Sequence, residues 1–389
     1  MPVVYQSGQL ASPPREMSVA TREISGSHFQ RVHAALEDGA NLDAFSRLRV
    51  SNPQGIFEGQ FTYNLLPLQY EPIAANGGGG TATVTHDTTN RCALMTFASA
   101  LTGATAYMQS FEYVRYQPGR SQAAFVTFNM IAGVANVLKF AGMSDGSNGI
   151  EFRLNGAAKQ IAILSDTTTG DEIVDQGNWN LDTLDGSGPS GITLDITKTQ
   201  ILVIDFQALY VGRVRVGFDI GGAIVYAHQF IHANLDAHPY IQYASLPVRC
   251  GMTASGTVST TMTFICSAVL SEGGQEENGG VPATIEGAVT AGNNTDTHIL
   301  SVRPKATFNS LSNRIKVVLD SVDIVVTGNT PVLWKMVIGQ ALTNPTFADV
   351  NTAYSCMEAL AGAGTLSGTP ALVLMSGYVS ASAQVKGQA

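Results

Sequence analysis

The sequence predicts a mainly β chain, with two β-sandwich or jelly-roll-like domains behind an N-terminal arm that carries one short helix. Three observations lead there. Apolar and polar residues alternate with period two in segment after segment, as a strand with one buried face requires. Clusters of Gly, Pro, Asn and Asp separate these segments, the punctuation of short antiparallel strands. Only 13% of residues are charged and 40 are Gly, about half the charge of an average globular chain, as suits sheets that hide much of their surface. A chain of 389 residues, at ~100–200 per domain, has room for two or three cores.

Residues 1–41 read as the arm. Pro13-Pro14 and a polar run favour extended chain. Ser27 and Gln30 have capping-box spacing, Phe29, Val32 and Leu36 fall on one helical face, and Gly39 lies just past the end. A helix of about ten residues is marginal alone, so this stripe is expected to dock on a neighbouring subunit. Residues 42–270 read as a large β-sandwich. Ile150, Phe152 and Leu154 alternate with Glu151 and Arg153, and Asn155-Gly156 makes a turn. The largely apolar run 201–206 suits a strand buried on both faces. Val214, Val216, Phe218 and Ile220 alternate with Arg213, Arg215, Gly217 and Asp219; Gly221-Gly222 turns the chain, and 223–232 returns. Residues 271–280, charged and Gly-rich, read as a linker. Beyond it, 281–389 reads as a small sandwich with strands near 299–308, 315–319, 322–326 and 332–338.

A net charge of −9 argues against nucleic acid, whose phosphates are held by Lys and Arg. Cys92, Cys250, Cys266 and Cys356 show no C-x-x-C spacing and read as ordinary thiols. The first residues lack the basic and apolar regions of a secretory signal. The uncharged stretches 92–111 and 359–385 are too rich in Gly, Ser and Thr to enter a membrane.

No catalytic motif keeps its context, and the chain reads as a non-enzyme without cofactor or metal. Gly186-Ser-Gly-Pro-Ser-Gly191 has dinucleotide spacing, but Pro189 interrupts it and a strand-like segment follows where a helix N-terminus is needed. Gly142-Met-Ser-Asp-Gly146 lacks the helix that a nucleophile elbow requires. Asp182, Asp185 and Asp195 do not fit a calcium loop. His228, His232 and His238 are the most metal-like group, with Asp236 among them. On one strand, however, His228 and His232 are ~13 Å apart. A two-residue Gly221-Gly222 turn also sets Arg215 opposite His228, and a fixed cation there disfavours a metal. The same register puts Val225, Ala227 and Ile231 on the core side. It leaves Arg213, Arg215, Asp219, Tyr226, His228, Phe230 and His232 together on the other face. Rings mixed with hydrogen-bonding groups suit a contact surface for a partner subunit or a glycan; the alternative is a second packed layer from the chain itself.

From Asp43-Ala-Phe-Ser-Arg-Leu-Arg-Val-Ser-Asn-Pro53 onward, the sequence resembles the structural proteins of tailed-bacteriophage virions. Further stretches of resemblance are Tyr116-Gln-Pro-Gly-Arg-Ser121, Trp179-Asn-Leu-Asp-Thr-Leu-Asp-Gly-Ser-Gly188, Leu202-Val-Ile-Asp-Phe206, His232-Ala-Asn234, Leu246-Pro-Val-Arg249, Arg303-Pro-Lys-Ala-Thr-Phe308 and Thr327-Gly-Asn-Thr-Pro-Val-Leu-Trp334. Ser46 departs from the pattern, which has Gly there. The resemblance implies a β-rich accessory head, neck, tail or fibre component located in the virion and made in the bacterial cytoplasm. Its implied partners are other virion proteins and further copies of itself. The alternative is a glycan-binding host-recognition module of a fibre or tail tip.

Overall fold

A computed structural model describes residues 21–24, 27–30, 42–49, 53–274, 285–292, 294–319, 321–328, 330–362 and 364–380. The class is mainly β, as expected; helix among these residues is confined to the single 3-10 turn Gln176–Asn178. None of their helices is long and apolar enough to cross a membrane. In the arm, Thr21–Ile24 pairs antiparallel with Ser27–Gln30. Phe29 therefore lies on a strand, and the helix does not start at Ser27. The antiparallel ladder of this pair uses the backbone groups that the capping box would have needed. Val32 and Leu36 fall outside the described residues.

The body is a sandwich of two antiparallel sheets. The seven-stranded sheet runs, in spatial order, Glu172–Asp175, Ala158–Leu164, Gly149–Asn155, Val137–Ser144, Val248–Ala254, Thr105–Ser110 and Tyr70–Ala75. The eight-stranded sheet runs Ala223–Phe230, Val214–Ile220, Gln200–Gln207, Ser121–Asn129, Val258–Glu272, Cys92–Ala100 and Thr81–Asp87, with Gln54–Gln60 on the far end of Val258–Glu272. Period-two alternation sends Leu202, Ile204 and Phe206 inward from one sheet and Ile150, Phe152 and Leu154 from the other. The sheets meet through aromatic rings: Phe152 lies 5.1 Å from Phe218, edge to face, and Tyr70 lies 5.7 Å from Phe264. Gly221 and Gly222, at φ of 66° and 84°, make the expected two-residue turn, for which side chains at positive φ are disfavoured. Ser271 and Glu272, read as linker, are the last residues of a body strand, held opposite Gln122 and Ser121.

Lys139 points into this core from Val137–Ser144 and is buried. Its Nζ donates to the carbonyls of Met130 (2.6 Å), Ala132 (3.0 Å) and Thr261 (2.8 Å). Burial pushes its pKa down to about 8, while the unfolded chain keeps that proton to ~10.4. Between those values the unfolded state binds more protons, so stability rises with pH. From pH 8 to 9.5, urea unfolding is expected to show a gain of about 1–2 kcal/mol. Lys139→Met should flatten that slope; an equal slope in the variant would assign it to another group.

After the body the character changes. Leu300–Pro304, Met357–Ala361 and Ala348–Asp349 form a three-stranded sheet; three two-stranded ribbons make up the other paired strands. Residues 315–319 and 322–326, expected as strands, belong to no sheet among the described residues. No apolar side chain beyond Val269 is buried among them either. Among the described residues of 281–389, strands are thus present without a closed sandwich core to cover their apolar faces.

Candidate functional site

The face expected as a contact surface is divided by one β-bulge. Near the turn, Gly217 pairs with Tyr226, as the two-residue hairpin requires, but Val216 then pairs with His228 and Arg215 with Gln229. The extra residue, Ala227, reverses the facing of everything after it. His228, Phe230 and His232 turn to the inner side and are buried, whereas Ile231, expected in the core, is 52% exposed. Arg215 is opposite Gln229, not His228, so the electrostatic objection to a metal at the histidines falls away.

Arg213, Arg215, Asp219 and Tyr226 stay on the outer face, but that face is covered from within the chain. Residues 42–49 lie across it as a strap. Asp43 folds the strap: its carboxylate accepts the N–H groups of Phe45 (2.9 Å) and Arg47 (2.8 Å), and Leu42 bridges back to Leu48. Ser46 sits at the tip with φ of 60°, a left-handed conformation that favours Gly, and this is where the sequence departs from the virion-protein pattern. Arg213 and Gln207 donate to the Ala44 carbonyl at 2.8 and 3.0 Å. Asp219 is engaged locally, accepting the Gly222 N–H.

Below the strap is a buried ionic network. Arg215 grips Asp205 through Nε (2.8 Å) and Nη2 (2.6 Å), and Nη2 also donates to the Leu42 carbonyl (2.9 Å). Its guanidinium lies 4.2 Å from the centre of the Tyr226 ring. Tyr226 donates its hydroxyl proton to Asp205 at 2.6 Å; burial, then the Asp205 charge, holds the phenol well above its usual range. Arg49, at the strap's end, reaches Asp205 (2.7 Å) and Glu272 (2.6 Å). Sequence reading missed Asp205, Glu272 and Arg49. The signal was an acid inside the apolar run 201–206, which a strand buried on both faces tolerates only with a cationic partner.

His232 follows the edge strand Ala223–Phe230. Its Nδ1 donates to the Gly212 carbonyl at 2.8 Å and its Nε2 lies 3.0 Å from Glu172 Oε1. The ring stacks on Tyr240 at 4.1 Å. Burial works to lower its pKa, but the bonds to Glu172 and Gly212 outweigh it and leave it raised. His228, which accepts the Asn180 N–H at Nδ1, is lowered by burial. His238 is exposed.

Another feature lies at the junction of the body with residues 313–316. A cleft of about 660 Å³ opens there, lined by Leu68, Phe111, Tyr113, Arg314 and Lys316 among others. Arg314 pairs with Asp145 and lies 3.8 Å over the Tyr243 ring. Its Nε and Nη1, and the Nε of Arg249 wedged over Tyr107 and Phe140, are buried N–H groups with no hydrogen-bond partner among the described residues.

No family model and no curated protein matches the chain. Solved structures do. An endo-1,3-beta-glucanase from Streptomyces sioyaensis is 12% identical over 57% of this chain and 97% of its own, with a TM-score of 0.41. A carbohydrate esterase from the Shiga toxin-encoding bacteriophage phi24B is 10% identical over 56% of this chain and 99% of its own, at 0.35. The binding domain of botulinum neurotoxin serotype D/C is 8% identical over 56% of this chain, at 0.34; the match spans 48% of that protein. At this level none of them lends the chain an activity, a substrate or a partner. One expectation is corrected all the same. Glycoside hydrolases stand among the matched structures, so the exclusion of an enzyme, drawn from missing sequence motifs, is withdrawn.

Proposed function

We propose that the chain is a structural subunit of a tailed-phage virion that assembles through protein–protein contacts made by residues 285–380. One observation carries this reading: a fully cored body is joined to strands that, among the described residues, have no core of their own. Ile315, Val318, Leu319 and Val325 are exposed on chain that no sheet takes up, and Leu374 and Tyr378 are exposed on the ribbon of Leu372–Val379 with Val332–Ile338. A two-stranded ribbon is marginal in water, and apolar patches of this kind mark surfaces that another subunit covers. The resemblance to virion proteins, which spans both regions, supports the same reading. Labelled-antibody electron microscopy of purified virions tests it. Regular decoration of head, neck, tail or fibre is the expected result; undecorated virions beside a positive blot of the infected-cell lysate would sink it.

Glycan recognition is the second reading, and it changes place. The His-bearing face is covered, so the cleft at residues 313–316 is its site. Exposed Phe111 and Leu68 offer apolar surface to a sugar ring, and the unpartnered N–H groups of Arg314 call for acceptor oxygens.

A further inference from the structure

We infer that Glu172, His232 and Asp236 form a binding site for a divalent transition-metal ion, zinc foremost, that staples one edge of the sandwich. Glu172 opens Glu172–Asp175, the edge strand of the seven-stranded sheet. His232 follows Ala223–Phe230, the edge strand of the eight-stranded sheet. Asp236 returns to His232 through a single turn, in which the N–H groups of Leu235 and Asp236 both donate to the His232 carbonyl (2.9 and 3.0 Å) and Asn234 takes φ of 66°. One donor atom from each of the three side chains lies within 4.8 Å of the others.

The imidazole is set as a ligand. It lies near-parallel to two aromatic rings, 4.1 Å from Tyr240 and 6.3 Å from Phe230, at interplanar angles of 18° and 9°. Because Nδ1 donates to Gly212, the lone pair of the neutral ring is on Nε2, which faces Glu172. A metal-bound histidine is oriented by such a bond from its other nitrogen. The Nε2 to Oε1 distance of 3.0 Å is about 0.3–0.4 Å short of the edge of a tetrahedron with ~2.0–2.1 Å arms, a gap that a small rotation of the Glu172 carboxylate opens. Glu172 is half-buried, and Asp236, exposed, is free to swing the remaining distance. Two carboxylates and a neutral imidazole sum to a charge that a divalent cation neutralises. The nitrogen donor favours zinc over calcium, which takes oxygens. Three protein ligands leave one position for water.

The test uses the full chain, stripped of metal by a chelator and titrated calorimetrically with ZnCl2 at pH 7.5. One zinc per chain is expected, with no saturable heat from CaCl2. At a hundredfold excess over Kd the melting temperature should rise by about 5–10 °C. Asp236→Asn and Glu172→Gln should each weaken binding at least ~10-fold; His238→Ala should bind as the parent does. Absence of stoichiometric zinc, undiminished binding by both carboxylate variants, or loss of binding in His238→Ala would each overturn the site. The first result would leave the trio as an ion pair of His232 with Glu172. The virion reading does not depend on any of these outcomes.

Discussion

Replacing Arg215 by Glu is expected to cost about 4 kcal/mol or more of body stability and to lower the melting temperature by ~10 °C or more. Arg215 is 1% exposed and Asp205 is fully buried. The substitution removes both guanidinium bonds to Asp205 and places a second carboxylate beside the first. Arg49 cannot neutralise both, because it is already shared with Glu272. The strap loosens too, since Arg215 holds the Leu42 carbonyl. Arg215→Met separates the contributions: it deletes the cation without adding an anion, and Asp205 keeps Arg49 and Tyr226. That variant should lose about 2–3 kcal/mol. Thermal melts and urea titrations of the three proteins decide the matter. A Glu variant that melts within about 1–2 °C of the parent would mean that Arg215 is at the surface and that the strap does not cover it.

This result would also separate what the sequence could reveal about the face from what it could not. The hairpin was legible, because Gly221-Gly222 and the flanking alternation set the register on the turn side of the bulge. The bulge at Ala227 was not, since an inserted residue leaves no mark on an apolar–polar pattern that already varies. One residue was enough to carry His228, Phe230 and His232 to the opposite side and Ile231 outward. The strap was legible only as a resemblance at residues 43–53; that it crosses Arg213 and Arg215 is a contact of more than 160 residues in separation. Glu172 and His232 are separated by 60 residues and meet only because their strands end at matching edges of two sheets. In 281–389 the apolar alternation marked paired strands near 299–308 and 332–338 but not at 315–319 and 322–326, and period alone does not say whether the covering layer belongs to the same molecule.

That last question has a direct answer in solution. A protein ending at Gly274 is expected to be a monomer with the melting temperature of the parent body, while the full chain associates. The body's core is complete before that point: every buried apolar residue among those described lies between Leu42 and Val269. Among the described residues, the cut breaks the largely buried pair of Arg314 with Asp145, with its contacts to the Tyr113 and Tyr243 rings, and the exposed pair of Lys316 with Glu112. The exposed pair is worth ~0–1 kcal/mol, and Asp145, hydrated once the residues over it are gone, is not left as a buried charge, so the melt should shift by no more than about 2–4 °C. The cut also removes Ile315, Val318, Leu319, Val325, Leu374 and Tyr378, whose exposure in a single chain is the liability that association would relieve. Light scattering behind a sizing column, on both proteins at tens of micromolar, reads the outcome as mass. A full-length protein of at least twice its chain mass beside a monomeric body supports self-association through 285–380. A full chain that stays monomeric and soluble would show that copies of itself do not cover these strands. Two proteins that associate equally would place the interface on the body. The first of those cases leaves a different virion protein as the partner of residues 285–380; in the second the surface assigned to them would be wrong, whatever the antibody labelling of virions shows.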